Sequence, residues 1–447
     1  MTPSGAGVTG LTDEAREALA DLVAAYLVRN ADADGGDSSV RVLEAEVIAR
    51  GRPGIVDIVA GVGERTVHLP LGLREPGGET KFLAGDEDPV LGVFEDDDGL
   101  AVAFEALHDA EVVTALVRHV TDQNVDPARV RQIRHTAESV TLALEDRLSF
   151  TVFSQLVDGP RAGLGLLLAL DEVGFNHIAA PVAVWRRAGR DLGIVQEYLP
   201  GASSGRALAV TSVRDLYGSG GPPELAGGDF GAEAHRLGTM AARLHLGLAE
   251  AFGRRPGDVG AWADAIEEAV RPVAPTLLDR PDVVVLLEEL RTLTVPCFAI
   301  RTHGDFHIGR VARTEQGWYV TDFSSGGQPV TTAGVVGPPE VPGGPPVPRE
   351  ADEPVYRSPL ADVADLLWSL GTVATDAAAE RDPAGREGLG ELAEAWELRN
   401  RRAFFAGYLG VAGISGLVPP GREAVRVLVT AFELERVATR LARQSRR

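Results

Sequence analysis

The chain has 447 residues, 45% of them hydrophobic and 24% charged, which is enough apolar material for two or three ordinary globular domains. Its formal net charge of -22 argues against a nucleic-acid partner or an anionic membrane surface, because both require clustered cations. No apolar run approaches the length of a membrane span and no targeting segment is visible, so we expect a cytoplasmic protein that acts on a small molecule or binds a protein.

Lysine and cysteine usage argues against a Walker-type phosphate-binding loop, an intrachain disulfide and a thiolate metal cluster. All cationic side chains except Lys81 are arginines, and Thr80 precedes Lys81 where a phosphate-binding loop of the Walker type requires glycine. The single cysteine, Cys297, lies in an apolar run. It can form neither an intrachain disulfide nor a thiolate metal cluster, and its pattern predicts a buried core thiol.

The N-terminal third predicts a small β-rich domain with two helices. Helical spacing covers Thr12–Arg29, and the run Asp109–Val120 is typical of a capped helix. Val90–Ala106 predicts a hairpin that turns at 96–99. Alternating or apolar runs predict three further strands at 40–47, 56–62 and 67–73.

A second sheet is predicted from about residue 133. The strand-like runs are Ser139–Leu144, Leu148–Phe153, Ile178–Trp185 and Gly193–Tyr198. A helix, Leu164–Val173, interrupts them.

Helical periodicity dominates after Pro200. Six helices are predicted at 230–252, 262–270, 283–293, 361–379, 388–409 and 423–443. A strand pair, Cys297–Arg301 with Trp318–Phe323, interrupts the series. The segment 326–359 is rich in proline and glycine and has no apolar period, so it is either a mobile lid or disordered, with disorder favoured.

The most informative segment is Arg301–Gly326, which contains the motif HGDFH (303–307) and then Asp322-Phe323. It places two carboxylates, Asp305 and Asp322, beside glycines and an apolar strand. One carboxylate can accept a hydroxyl proton, while the other can bind a metal ion that neutralises phosphate charge. The pattern therefore predicts phosphoryl transfer. Competing interpretations are a core histidine at His307 and a turn residue at Asp322.

Three blocks occur in the order of a two-lobed kinase: a strand-rich lobe, the extended segment Gln196–Pro200, and a helical lobe with HGDFH and DF. At this point the chain resembles the maltokinase-type sugar kinases and glucosamine kinases of actinobacteria, which are relatives of the aminoglycoside phosphotransferases. The resemblance also covers 93–120, 174–178, 212–216 and 358–364.

The resemblance implies an α+β, bilobal protein kinase-like fold with an N-terminal β-rich cap. It implies a cap domain at 1–130, a strand-rich lobe at 131–200, and a helical lobe at 201–447 with the Pro/Gly-rich loop. It also implies an ATP-dependent phosphotransferase that acts on a sugar or amino sugar, with ATP and Mg²⁺ as cofactors.

The resemblance also implies roles for individual residues. Asp305 would be the base near the acceptor hydroxyl, His307 would order the loop, and Asp322 would bind Mg²⁺. Glu197 and Leu199 would offer backbone hydrogen bonds to adenine.

Several positions depart from the family pattern. The lysine that pairs with the nucleotide phosphates aligns with Thr151, and its glutamate partner aligns on or near Gly165. Arg310 stands where an amide would bind metal, and Ser324 stands where an acidic residue is expected. Because guanidinium groups bind phosphate in a bidentate manner, Arg147, Arg161 or Arg310 can replace the lysine, with Arg310 the candidate nucleotide-binding residue.

Two hypotheses follow. In the first, the protein is an active sugar or amino-sugar kinase that retains both aspartates. In the second, it is a pseudokinase that binds a protein partner, acts as a scaffold or catalyses another group transfer, since the lysine, the glutamate and the amide are all missing. Acidic residues such as Asp362, Asp365 and Glu394 either recognise an amino group or solvate helices.

Overall fold

A computed structural model describes residues 11–30, 39–77, 89–226, 229–323, 356–380 and 388–444. Lys81, Ser324 and most of the Pro/Gly-rich segment lie outside the described residues. The chain divides into two units, one formed by Met1–Arg161 with Ala179–Pro200 and the other by Ala162–Ile178 with Gly201–Arg447. No described helix combines the length and the apolar composition that a membrane crossing requires.

The first unit consists of two antiparallel sheets and two helices. Its elements are α1 (Asp13–Asn30), β1 (Val40–Ala49), β2 (Gly54–Val62), β3 (Arg65–Arg74), β4 (Val90–Asp96), β5 (Gly99–Glu105), α2 (Ala110–Thr121), β6 (Val130–His135), β7 (Ser139–Leu144), β8 (Leu148–Phe153), β9 (Gln155–Leu156), β10 (Pro181–Arg187) and β11 (Arg190–Glu197). The strand orders are β1-β2-β3-β5-β4, with β9 added to β3, and β10-β11-β8-β7-β6.

Local predictions for this unit are confirmed. The hairpin forms between β4 and β5, with Asp96 opposite Gly99 across the turn. Helix α2 begins where the cap was predicted, since the Asp109 carboxylate accepts hydrogen bonds from the backbone N–H groups of Glu111 at 2.9 Å and Val112 at 3.2 Å. These bonds satisfy donors that the first turn of a helix leaves unpaired.

The two sheets of the first unit share one apolar core. The cluster combines Ile55 and Phe104 from the first sheet with Leu142 and Phe150 from the second, all of them fully buried. The predicted boundary between cap and strand-rich lobe at residue 130 therefore falls inside a continuous core. The division into three domains stays a prediction.

The second unit is mainly helical. Its elements are α3 (Ala162–Glu172), β12 (Ser203–Ser204), α4 (Gly205–Ser219), α5 (Gly231–Phe252), β13 (Arg254–Pro256), α6 (Val259–Val270), α7 (Pro275–Leu278), α8 (Pro281–Arg291), β14 (Phe298–Arg301), β15 (Val311–Arg313), β16 (Trp318–Val320), β17 (Tyr356–Arg357), α9 (Pro359–Ala379), α10 (Leu389–Leu409) and α11 (Arg422–Gln444). The six predicted helices correspond to α5, α6, α8, α9, α10 and α11.

Helices α5 and α10 approach each other closely because each carries a glycine at the contact. A Cβ atom at Gly238 would lie 2.1 Å from the Phe404 carbonyl oxygen, and one at Gly407 would lie 1.9 Å from the His235 carbonyl oxygen. No side chain fits at such distances. The close contact helps to position α5, whose His245 reaches the candidate site.

The predicted pairing of strand 297–301 with strand 318–323 is wrong. The first strand, β14, pairs with β13 and β17, whereas the second, β16, pairs with β15. Both strands are short and apolar, and such runs show that a strand forms without identifying its neighbour. The pairing with β15 places Val311 opposite Val320 and so brings the segments after HGDFH and before Asp322 together.

Candidate functional site

A buried carboxylate anchors the HGDFH loop from beneath. The Asp362 carboxylate, on α9, accepts hydrogen bonds from the backbone N–H groups of His303 at 2.8 Å and Gly304 at 2.9 Å. Its side chain is almost fully buried, and His245 of α5 lies 3.3 Å away. Burial would raise the pKa of Asp362, but its hydrogen bond with His245, the adjacent histidines and the Gly304 N–H lower it. Asp362 is therefore held ionised beneath the loop.

His303 connects this loop to the segment that carries Asp322. Its Nε2 lies 2.8 Å from the backbone oxygen of Asp322, and its Nδ1 accepts a hydrogen bond from the Asp305 backbone N–H at 3.4 Å. These partners assign the proton to Nε2. The imidazole stacks on Phe323 with ring centroids 5.2 Å apart, and burial lowers its pKa. His303 is thus a neutral positioning residue.

Asp305 lies among three cationic or titratable side chains. Its Oδ2 accepts a hydrogen bond from Arg310 at 3.0 Å and lies 3.8 Å from His307 Nε2, while its Oδ1 lies 3.9 Å from Arg436 Nη2. Burial tends to raise the pKa of Asp305, but the Arg310 hydrogen bond and the adjacent charges outweigh it and lower the pKa. The predicted base is therefore a carboxylate over the physiological range.

His307 lies at the rim of the loop rather than in the core, with 39% of its side chain exposed. Its Nδ1 accepts a hydrogen bond from the Gly309 backbone N–H at 3.1 Å, which caps the short helical turn that leads to Arg310. Burial lowers its pKa, with the neighbouring charges contributing less. This geometry suits the predicted loop-ordering role, which stays a prediction.

Arg310 bridges the two aspartates. Its Nη2 donates to Asp305 at 3.0 Å and its Nη1 donates to Asp322. The side chain of Arg310 is 15% exposed, as is that of Asp305, and that of Asp322 is 20% exposed. The two predicted site carboxylates are therefore brought together, but with a guanidinium between them.

This arrangement does not fit a divalent metal ion at the two aspartates. Mg²⁺ requires oxygen ligands in near-ideal octahedral geometry, and a guanidinium has no lone pair to give. Within the described ranges, no group of three or more His, Cys, Asp or Glu side chains is placed to hold a metal. Metal binding by Asp322 stays a prediction.

Arg436 was missed by sequence reasoning. It projects from α11 and binds Asp365 of α9 through both Nε and Nη2, and its Nη2 lies 3.5 Å from the Gly304 carbonyl oxygen. Asp365 is thus paired with an arginine. The only sequence signal was the position of Asp365 one turn after Asp362 on an apolar helix, and such spacing does not identify a partner 71 residues away.

The predicted adenine-binding residues lie in the first unit, at the end of β11. The Glu197 backbone N–H donates to the Ala180 carbonyl at 2.8 Å, so that donor is committed within the unit. The N–H of Tyr198 donates to the Arg147 carbonyl at 2.9 Å. These bonds fix the backbone on either side of Leu199, and the adenine contacts stay a prediction.

The structure also describes Thr151, which the resemblance aligns with the lysine of related kinases, and the arginines predicted to replace that lysine. Thr151 lies on β8 with its hydroxyl 3.0 Å from that of Thr141. Arg147 donates to Gln123 at 2.9 Å and is half-exposed. Arg161 donates to the Gln155 carbonyl and lies 4.1 Å from the Phe153 ring centroid. Burial lowers the pKa of Arg161. Of the three arginines, Arg310 alone contacts a candidate catalytic aspartate in the described contacts.

A cavity of about 730 Å³ lies among α8, α9, α10 and α11. Its lining includes Trp368 of α9, Glu397 and Arg401 of α10, and Glu433 and Arg440 of α11. Arg401 donates to Glu433 at 2.6 Å and to Glu397 at 3.3 Å. Arg440 follows Arg436 by one turn of α11, roughly 6 Å along the helix, so the cavity and the contact of Arg436 with Asp305 share this helix.

The chain resembles known proteins both in sequence and in structure. The chain is similar in sequence to glucosamine kinases. It is 32% identical over 233 residues to one from Streptacidiphilus jiangxiensis, covering 48% of this chain and 46% of that protein. It is 29% identical over 252 residues to one from Mycolicibacterium smegmatis, covering 52% and 59%. The matched part thus spans about half the length of these curated relatives. No family model matches the chain.

Solved glucosamine kinase structures match along nearly the whole chain. One, in complex with glucosamine, ADP and inorganic phosphate, has a TM-score of 0.60 at 22% identity and covers 95% of this chain and 94% of the other. A second crystal form has a TM-score of 0.61 at 20% identity, with the same coverages. The predicted α+β, kinase-like fold with a sheet-rich N-terminal region is confirmed. The resemblance to maltokinases stays a prediction.

Proposed function

We propose that this protein is an ATP-dependent phosphotransferase that phosphorylates a hydroxyl of an amino sugar, with glucosamine as the first acceptor to test. The observation that carries the proposal is Asp305, an ionised, partly exposed carboxylate on a loop anchored by buried Asp362. Similarity in sequence and fold to glucosamine kinases supports the substrate class.

Asp305 would orient the acceptor hydroxyl and accept its proton. Phosphoryl transfer passes through a loose transition state in most analyses, so positioning and electrostatics contribute more than the strength of the base. A carboxylate with a lowered pKa suits this role, because it stays ionised and accepts a hydrogen bond from the hydroxyl. Arg310 and Arg436 would supply positive charge beside the transferred group.

The cavity among α8, α9, α10 and α11 is the candidate acceptor pocket. Trp368 offers a sugar ring the face that Arg440, 5.5 Å from its ring centroid, does not cover, and Glu397 and Glu433 offer carboxylates to an ammonium group. Arg401 neutralises part of this negative charge. Four carboxylates and three arginines line the cavity, so its charge favours a cationic amino sugar only slightly. Glu397 lies farther from Arg401 than Glu433 does and is the better placed of the two to bind an ammonium group.

Glu397→Gln tests this assignment of the acceptor pocket. We expect the KM for glucosamine to rise about tenfold with little change in kcat, because one charge-assisted hydrogen bond to the ammonium is lost. The KM for glucose should stay the same. Steady-state kinetics on both sugars measure the effect. Glu394→Gln is the matched control, because Glu394 is exposed on the same helix and does not line the cavity. A uniform rise in KM for both sugars, or none for either, would contradict the ammonium contact.

A second function, that of a pseudokinase, is favoured by one observation. Arg310 contacts both aspartates and so occupies the space between them. The resemblance also implies a phosphate-pairing lysine at the position of Thr151, where this chain has none. Such a protein would bind nucleotide, sugar or a protein partner without turnover. Its cytoplasmic location, like that of the kinase, stays a prediction.

The deciding experiment measures ADP release by the full chain with glucosamine, maltose and glucose, each with Mg²⁺ and with a chelator. The proposal expects acceptor-dependent ADP release that is largest with glucosamine. Binding of ATP or glucosamine by calorimetry without any ADP release would favour the pseudokinase. Failure of both ligands to bind would exclude the kinase and would leave only a pseudokinase that binds a protein partner.

A further inference from the structure

The guanidinium of Arg310 lies where a cation shared by Asp305 and Asp322 would lie. Two carboxylates that approach one position repel each other unless a positive charge separates them. Arg310 supplies that charge with one nitrogen to each carboxylate, Nη2 to Asp305 at 3.0 Å and Nη1 to Asp322. The bridge therefore already satisfies the charge requirement that a metal ion would otherwise meet.

Backbone contacts hold the bridge in place. The Arg310 N–H donates to the His307 carbonyl at 2.8 Å, and its carbonyl accepts from the Thr321 N–H at 2.9 Å and from the Thr321 hydroxyl at 3.1 Å. Thr321 directly precedes Asp322, and the β15–β16 ladder continues from this point. Arg310 and Asp322 are thus adjacent because of the strand pairing, and both lie on ordered backbone.

The surrounding side chains favour the guanidinium over a metal. Arg436 adds a second positive charge 3.9 Å from the other oxygen of Asp305. A divalent ion at the pair would have to displace Arg310 and would then lie near two arginines. It would also have to find further ligands, and no group of three acidic, histidine or cysteine side chains in the described residues offers them.

We propose that Arg310 is the resident cation of the Asp305–Asp322 pair and excludes divalent metal ions from these two carboxylates. The inference rests on the proposed function in taking the pair as the phosphate side of the site. Arg310 would then face the phosphates of the nucleotide directly, with the planar donor geometry that suits phosphate oxygens. Nucleotide binding would require no metal held by Asp322.

Binding of Mn²⁺, followed by electron paramagnetic resonance on the full chain without nucleotide, tests the exclusion. Wild type should show no Mn²⁺ site that depends on Asp322. Arg310→Gln should bind one Mn²⁺ at least tenfold more tightly than wild type, and the double variant Arg310→Gln/Asp322→Asn should lose that gain. Arg313→Gln is the matched control, because it removes the same charge three residues away, where Arg313 pairs with Glu233 at 2.8 Å.

Two results would overturn the inference: Mn²⁺ binding by wild type that Asp322→Asn abolishes, and no gain of Mn²⁺ affinity in a folded Arg310→Gln variant. Thermal unfolding of each variant verifies folding.

A calorimetric titration with ATP separates this inference from the proposed function. A gain of threefold or more with Mg²⁺ that Asp322→Asn abolishes opposes the inference, and a smaller gain, or one that Asp322→Asn leaves unchanged, supports it. Absence of ATP binding would reject the proposed function, while the Mn²⁺ result would still decide the role of Arg310.

Discussion

Asp305→Asn is expected to lower kcat on an amino sugar by about a thousandfold, within the range that a positioned general base contributes. Asparagine has nearly the same shape and can still accept the hydrogen bond that Arg310 donates to Asp305 at 3.0 Å. It cannot accept a proton from the acceptor hydroxyl. KM should change little, because the substitution removes an interaction made mainly in the transition state. Steady-state ADP release measures both parameters.

Asp264→Asn is the control for Asp305→Asn. Asp264 pairs with Arg291 on the surface of the second unit, so the same change of charge there should leave kcat as it is. A kcat for Asp305→Asn within threefold of wild type would rule out Asp305 as the base.

The acidity of Asp305 also predicts the pH dependence of the reaction. The arginine contacts lower its pKa despite burial, so the carboxylate loses its charge only at a pH below the ordinary carboxyl range. The acid limb of kcat/KM should accordingly fall below about pH 4. An acid limb near pH 6 would indicate that another group limits the rate.

Asp362→Asn is expected to lower the free energy of unfolding of the second unit by about 3 kcal/mol, because it breaks a buried charged network. The Asp362 carboxylate accepts the N–H groups of His303 and Gly304, and asparagine cannot offer two acceptor oxygens to both. His245 also loses its anionic partner at 3.3 Å. Urea unfolding followed by circular dichroism measures the change.

The loss of stability in Asp362→Asn should be full at neutral pH and smaller in acid. The pKa of Asp362 is lowered in the folded state, so its stabilisation is complete above the unfolded carboxyl pKa and is lost as pH falls through the lower folded pKa. The difference between wild type and Asp362→Asn should therefore be full at pH 7 and shrink only below about pH 4. Asp376→Asn, a partly exposed position on the same helix, is the control. Equal stability of wild type and Asp362→Asn at pH 7 would contradict the anchoring role.

Local patterns were sufficient for many of the elements and for the motif, although helix α4 (Gly205–Ser219) was not predicted. Strands β7 and β8 match their predicted bounds, and α2 begins at its predicted cap, because alternation and capping depend on a few adjacent residues. HGDFH and Asp322-Phe323 were found for the same reason, since each motif is contiguous in sequence. The kinase-like fold followed from the order of these blocks and is confirmed.

Contacts between distant residues were decided by the tertiary structure. The pairing of β14 with β13 and β17, the anchoring of His303 by Asp362 across 59 residues, and the approach of Arg436 to Asp305 depend on how helices and strands pack. Arg310 is the clearest case: its sequence position suggested a phosphate ligand, which stays a prediction, and only the β15–β16 pairing shows that it also lies beside Asp322. Periodicity describes which face of an element is buried. It does not describe which charged group from another element will meet that face, because that choice depends on packing of the whole unit.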